Sequence, residues 1–82
     1  MIYGVYAAKD QLSGWLPVSC DSNDSTAIRN FNAALKAPGS IMHFSPDDFR
    51  LYKVGTYDSD TGILTSCEPE FLFEGRKDEN VS

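Results

Sequence analysis

Acidic side chains are the first residues of this chain whose types and spacing could do chemistry. The run Asp58-x-Asp60-x-Gly62 resembles the start of a calcium-binding loop. Such a loop needs a third ligand before its glycine and a bidentate glutamate at its twelfth position, where this chain has Pro69. A hairpin turn accounts for the same residues. We therefore predict a turn here and no calcium site.

The spacing of the histidine, cysteine and aspartate residues supports neither a metal centre nor a group of catalytic residues. The single histidine, His43, lies far in sequence from Cys20 and Cys67, so the spacing of a zinc site is missing. Asp47 and Asp48 suit the first turn of a helix, and no nucleophile or general acid accompanies them. The cysteines are expected to be reduced and mostly buried. We predict a protein that is not an enzyme and that uses no metal or cofactor.

The charge of the chain argues against a nonspecific nucleic-acid coat. The 82 residues include 7 basic and 12 acidic side chains, for a formal net charge of -5. Proteins that coat nucleic acid normally need a cationic surface to displace counterions from phosphates. Scattered charges and a local basic stripe opposite an acidic face both remain open. The stripe could draw on Lys9, Arg29, Lys36, Arg50 and Lys53.

Aromatic side chains provide the remaining functional signal. Rings on a sheet face are the usual platform on which unpaired bases stack, whereas core packing is the other role of rings in a small domain. We expect the tyrosines and the tryptophan to be more exposed than the phenylalanines. The rings on or beside predicted strands are those of Tyr3, Tyr6, Trp15, Phe44, Phe49, Tyr52 and Tyr57.

The N-terminal half predicts the first elements that must position these side chains. Residues 2–9 have apolar side chains on both faces, which favours a central strand covered on both sides. A loop ending at Gly14 leads to residues 15–20, which predict an edge strand because Pro17 cannot donate to a ladder. A run of capping residues followed by helical apolar spacing predicts a helix over residues 25–36.

The C-terminal half predicts a second hairpin. Ser45 and the residues after it favour one helical turn with Ser45 as its cap. Residues 50–57 and 63–67 predict strands joined by a turn, with Gly62 in the left-handed region. Residues 68–74 fit either a short helix or a last strand.

These elements predict a single α+β domain over residues 1–75 with a flexible polar tail over 76–82. Its sheet should have about four mainly antiparallel strands, arranged as two β-hairpins, with one amphipathic helix packed on one face. No window approaches the ~20 apolar residues of a membrane span, and the N-terminus has no basic signal region. We therefore expect a soluble protein that stays in a cytoplasm and binds no membrane.

Several segments are similar in sequence to one viral family. They are VYAAKD at residues 5–10, the pair Pro17-Val18, AIRNFNAAL at 27–35 and SPDDFRLYKVGTYDSDTG at 45–62. Together they resemble the small nonstructural protein of gokushoviruses, tailless single-stranded DNA phages of the microvirus group, over about residues 2–66. The last of these segments is the most specific.

The resemblance implies a regulatory protein of phage DNA replication in the cytoplasm of a bacterial host. Its role would be similar to that of protein C of other microviruses, which shifts synthesis from the double-stranded replicative form to the single-stranded genome for packaging. DNA binding is commonly assigned to the family, which offers no catalytic residues.

Two mechanisms remain open. In the first, a homo-oligomer, most simply a dimer, gathers weak basic and aromatic sites into one surface for DNA, which we expect to be single-stranded. In the second, an acidic module binds the viral replication initiator or a host replication protein without touching DNA. Whether folding gathers the basic residues on one face discriminates between them. The candidate DNA contacts are Arg29, Lys36, Arg50, Lys53, Trp15 and Tyr52.

Overall fold

The first strand, β1 (Ile2–Asp10), is the centre of the sheet because its residues are apolar on both faces. In the computed structural model, which describes residues 1–39, 42 and 45–75, β1 pairs antiparallel with two short strands along one edge. These are β2 (Gly14–Trp15) and β3 (Ser19–Asp21). Along its other edge β1 pairs antiparallel with β4 (Phe49–Asp58). The predicted central position of the first strand is confirmed.

The prediction of one continuous strand over residues 15–20 is wrong. β2 ends at Trp15 and β3 begins at Ser19, and Pro17 between them has no N–H to donate to a ladder. The pairing of β3 with β1 is offset by one residue from that of β2. Pro17 and Val18 therefore leave the ladder, whereas the Leu16 N–H still donates a 2.9 Å hydrogen bond to the Ala8 carbonyl oxygen. The predicted position of this segment at the sheet edge is confirmed.

The second hairpin joins β4 to β5 (Ile63–Glu74), so residues 68–74 form strand rather than helix. Gly62 in its turn has φ 75°, and Gly14 at the β1–β2 turn has φ 100°, where a side chain would be strained. The partners of β4 jump from Ser66 to Glu70 on β5. A proline inside this bulge, at position 69, breaks no ladder hydrogen bond.

The helix α1 (Asp24–Lys36) lies on one face of the sheet and agrees with the predicted helix to within one residue. The Asn23 side chain accepts a hydrogen bond of 2.8 Å from the Thr26 N–H and so caps the first turn. Helical spacing puts Ala27, Phe31 and Leu35 on the buried side. The predicted fold class, a small antiparallel sheet with one helix on one face, is confirmed.

The core lies between α1 and the sheet. Phe31 packs edge-on against Phe73 with ring centroids 6.1 Å apart. Tyr6 is 1% exposed, so its predicted exposure is wrong. Its hydroxyl donates a 2.6 Å hydrogen bond to the Asp24 carboxylate, and burial together with this bond raises the pKa of Tyr6. The buried cluster consists of Tyr6, Ala27, Phe31, Leu35, Phe49 and Leu51.

Two smaller expectations need correction. Pro46–Asp48 form the expected single turn, of 3-10 type, but the Ser45 side chain makes no capping hydrogen bond. Cys20 and Cys67 are free, yet both are exposed rather than mostly buried. Each cysteine lies on a strand that pairs on one side only, and this position at a sheet edge leaves it open to solvent.

Some expectations concern residues that the structure does not describe. His43, Phe44 and the predicted polar tail at 76–82 lie outside the described residues. Within the part of the chain that is described, no helix is long and apolar enough to cross a membrane.

The helix cap gives a first testable prediction. Asn23→Ala should lower the free energy of unfolding by about 1 kcal/mol, because the Thr26 N–H loses its acceptor. Urea denaturation followed by circular dichroism measures the change. Asn23→Asp keeps an acceptor oxygen and should remain close to the parent. An equal loss in both variants would contradict a capping role.

Candidate functional site

One face of the sheet is not covered by α1, and we call it the open face. Side chains alternate along a strand, so Phe49 and Leu51 point toward the helix whereas Arg50 and Tyr52 point away from it. Residues directly opposite one another on paired strands share a face. The register therefore assigns to the open face the side chains of Lys9, Trp15, Arg50, Tyr52, Phe71 and Glu74.

Three rings form a continuous row across the open face, which we call the aromatic row. The centroids of Trp15 and Tyr52 are 5.0 Å apart at an interplanar angle of 65°. Those of Tyr52 and Phe71 are 5.8 Å apart at 68°. Ala7 lies opposite Tyr52 on the intervening strand, where its small side chain lets the rings on either side meet. Trp15 is 47% exposed and Phe71 is 53% exposed, so the row offers ring surface to solvent.

Two cations lie beside the aromatic row, Lys9 opposite Trp15 and Arg50 on the strand that carries Tyr52. The Lys9 ammonium is 5.4 Å from the centroid of the Trp15 ring, within the range of a cation–π contact. Arg50 lies directly opposite Lys9 on the neighbouring strand. Its guanidinium makes a 3.0 Å ion pair with the Glu74 carboxylate, which offsets part of its charge. The open face therefore combines exposed rings with a small positive patch.

The turn before Trp15 is held by Asp10. Its carboxylate accepts a 2.9 Å hydrogen bond from the Leu12 N–H and a 2.7 Å bond from the Ser13 hydroxyl. These bonds hold the pKa of Asp10 below its ordinary value, because they favour the ionised form. The ordered turn fixes the position of Trp15 opposite Lys9.

Folding brings together only part of the predicted site. Lys53 lies on the helix side of the sheet, with its ammonium 3.9 Å from the Asp24 carboxylate. Arg29 and Lys36 are exposed on α1. The four predicted basic contacts are therefore not gathered on one face. The predicted residues that do share the open face are Trp15, Arg50 and Tyr52.

One of these separations could have been deduced from the sequence. Arg50 and Lys53 are three positions apart in a predicted strand, and an odd spacing puts side chains on opposite faces. Alternation along a regular strand is therefore incompatible with a basic stripe that includes both residues.

Sequence reasoning missed Phe71 and left Lys9 out of the proposed contacts. Strict alternation would put Phe71 and Phe73 on the same face. The pairing of β5 with β4 instead shifts between Leu51 and Tyr52. Phe73 therefore packs against Phe31 in the core, while Phe71 joins the aromatic row. No local sequence signal marks this shift.

The acidic turn has the geometry of a hairpin. The Asp60 N–H donates 2.9 Å to the Asp58 carboxylate, and the Gly62 N–H donates 2.7 Å to the Asp58 carbonyl oxygen. Among the described residues, no group of three or more His, Cys, Asp or Glu side chains is arranged to hold a metal ion.

Comparison with known proteins identifies one family. The family model described as Phage ORF5 protein matches residues 3–77, a span that includes the whole open face. Neither the curated proteins nor the solved structures contain a match.

Proposed function

Because the chain belongs to the Phage ORF5 protein family, we propose that it is a non-enzymatic regulatory protein of phage DNA replication that binds single-stranded DNA. Its binding helps switch synthesis from the double-stranded replicative form to the single-stranded genome that is packaged, in the cytoplasm of the bacterial host. The phage is a gokushovirus in this proposal, and the role is similar to that of microvirus protein C. The similarity of residues 45–62 supports this assignment.

The aromatic row is the observation that carries the proposal. Every base has a π face, so a row of exposed rings can stack unpaired bases with little dependence on sequence. Bases inside a duplex already stack on one another and are not available to the rings. The rings of Trp15, Tyr52 and Phe71 follow one another at 5.0 and 5.8 Å and cross four neighbouring strands. In the proposed complex, single-stranded DNA runs across the strands rather than along them.

The small positive patch sets the expected strength and salt dependence of binding. Lys9 and Arg50 can neutralise about two phosphates, while the net charge of -5 opposes the approach of DNA. Affinity for one subunit is therefore weak. A homo-oligomer, most simply a dimer, raises it by presenting several such faces to one strand.

Salt dependence is the second testable prediction. Two phosphate contacts give a log–log slope of about -1.4, so affinity should fall about sevenfold between about 50 and 200 mM salt. Fluorescence anisotropy of a labelled oligothymidylate measures it. Lys9→Gln should flatten the slope, because one of the two cations is lost.

Lys36→Gln is the matched control, since it removes the same charge from the exposed side of α1. It should leave the slope near that of the parent. Equal effects of the two substitutions would mean that the open face is not where phosphate is bound.

The pairing of two of the cations favours a second candidate function. Arg50 is paired with Glu74, and Lys53 lies near Asp24, so both have acidic partners within the chain. An acidic module of this kind could bind the viral replication initiator or a host replication protein without touching DNA. Absence of any binding to oligothymidylate at low salt would favour this alternative. Calorimetry with the purified initiator would then test it directly.

A further inference from the structure

A hollow at the outer edge of β5 continues the aromatic row. It has a volume of about 460 Å³, is largely apolar and is lined by Phe71, Leu72, Phe73 and Glu74. That volume lies in the range of sites that bind small organic molecules. Phe71 is the last ring of the aromatic row and also lines the hollow. A base that stacks on the exposed Phe71 ring can therefore extend into the hollow.

Glu74 is the charged residue among those that line the hollow. Its side chain is 41% exposed, so a ligand in the hollow can reach the carboxylate. Its Oε1 accepts the 3.0 Å hydrogen bond from Arg50. An ionised carboxylate has about four acceptor positions, so this one bond leaves others for a ligand. The hollow therefore combines an apolar wall with a charged hydrogen-bond acceptor.

The strand register places this acceptor beside a stacked base. Phe71 lies opposite Tyr52, and Glu74 lies opposite Arg50. Tyr52 and Arg50 are two positions apart on β4, which corresponds to about 7 Å along the strand. Both pairs have their side chains on the open face. A base stacked on Phe71 can therefore turn one edge toward the Glu74 carboxylate.

A carboxylate in this position distinguishes the two pyrimidine bases of DNA. Cytosine presents its N4 amino group, which donates to an acidic side chain, whereas thymine presents the O4 acceptor at the same place. The N3–H donor of thymine is flanked by two carbonyl oxygens, which would also face the carboxylate. We propose that the hollow is a subsite for a cytosine base, which stacks on Phe71 and donates from N4 to Glu74.

The inference rests on the proposed binding of single-stranded DNA and adds a base preference to it. Stacking on the aromatic row tolerates any base, because every base has a π face. The preference for cytosine therefore arises at one position of each subunit, where an edge of the base meets the carboxylate.

Competition binding of short oligonucleotides is the first part of the test, at low salt and at a slightly alkaline pH that keeps cytosine unprotonated. The parent should bind oligodeoxycytidylate at least about fivefold more tightly than oligodeoxythymidylate, because only cytosine donates a hydrogen bond to the charged acceptor. Oligodeoxyuridylate lacks the thymine methyl group and should bind like oligodeoxythymidylate.

The outcomes of this competition separate the subsite from the proposed function. Equal affinity for oligodeoxycytidylate and oligodeoxythymidylate would overturn the subsite but not the proposed function. Oligodeoxyuridylate that binds as tightly as oligodeoxycytidylate would also overturn the subsite, because the methyl group rather than the amino group would then be distinguished. Binding of none of the three would overturn both.

Glu74→Gln is the second part of the test. The amide carries a donor as well as an acceptor, so it can bond to O4 of thymine as well as to N4 of cytosine. The ratio of the two affinities should fall close to one, even though the released Arg50 raises both affinities. Glu70→Gln is the matched control, since Glu70 is on the same strand but lies opposite Lys53, on the helix side of the sheet. It should keep the ratio of the parent. An unchanged ratio in Glu74→Gln, or an equal loss in Glu70→Gln, would overturn the subsite.

Discussion

Tyr52→Ala is expected to lower the affinity for single-stranded DNA by about fivefold to 150-fold, since stacking contributes about 1–3 kcal/mol per base. Tyr52 is the middle ring of the aromatic row and contacts Trp15 on one side and Phe71 on the other. Its removal therefore takes away one stacking surface and the support of two others. Anisotropy of a labelled oligothymidylate at low salt measures the loss.

The control for this prediction is Tyr52→Phe, which keeps the ring and should bind like the parent. Trp15 provides an independent fluorescence signal for binding, because it is the single tryptophan of the chain. Its fluorescence should change when unpaired bases stack on the row, and in Tyr52→Ala the same change should require a correspondingly higher DNA concentration. Undiminished affinity in Tyr52→Ala, with the fold intact by circular dichroism, would end the single-stranded DNA proposal.

Phe31→Ala is expected to lower the free energy of unfolding by about 3–5 kcal/mol, the usual cost of a cavity left by a buried ring. Phe31 is 5% exposed and packs edge-on against Phe73 between α1 and the sheet. A domain of 82 residues has a total stability of roughly 4–12 kcal/mol. The substitution should therefore remove a large share of it. Urea denaturation of the purified variant provides the measurement.

Phe71→Ala is the matched control, because the same ring is removed from a site that is 53% exposed. It should cost much less stability and should instead weaken DNA binding. The two variants thus separate the core from the open face. Similar stability losses in both, or a parent-like unfolding curve for Phe31→Ala, would contradict the assignment of these rings.

Much of the fold could be predicted because its signals are local. The apolar residues of the first strand, the capping residues before α1 and the glycines at positions 14 and 62 each act within a few residues of the chain. Residue type also predicts part of the open face, namely Trp15, Arg50 and Tyr52.

The assignment of rings to faces depended on more than residue type. Residue type predicts that a tyrosine is more exposed than a phenylalanine, yet Tyr6 is buried and Phe71 is exposed. Tyr6 can be buried because its hydroxyl finds an acceptor in Asp24, eighteen positions away in the chain. That partner exists only once α1 has docked on the sheet.

The sequence by itself determined the helix, the turns and the alternation of side chains within each strand, since periodicity and turn chemistry are local properties. Only the tertiary structure decided which strands are neighbours and where their registers shift. One shift on β5 separates Phe71 from Phe73, and another interrupts the edge between Trp15 and Ser19. After each shift, the side chains that strict alternation would put on one face of the sheet lie on the other face. The aromatic row therefore arises from strand pairing between residues that are distant in sequence.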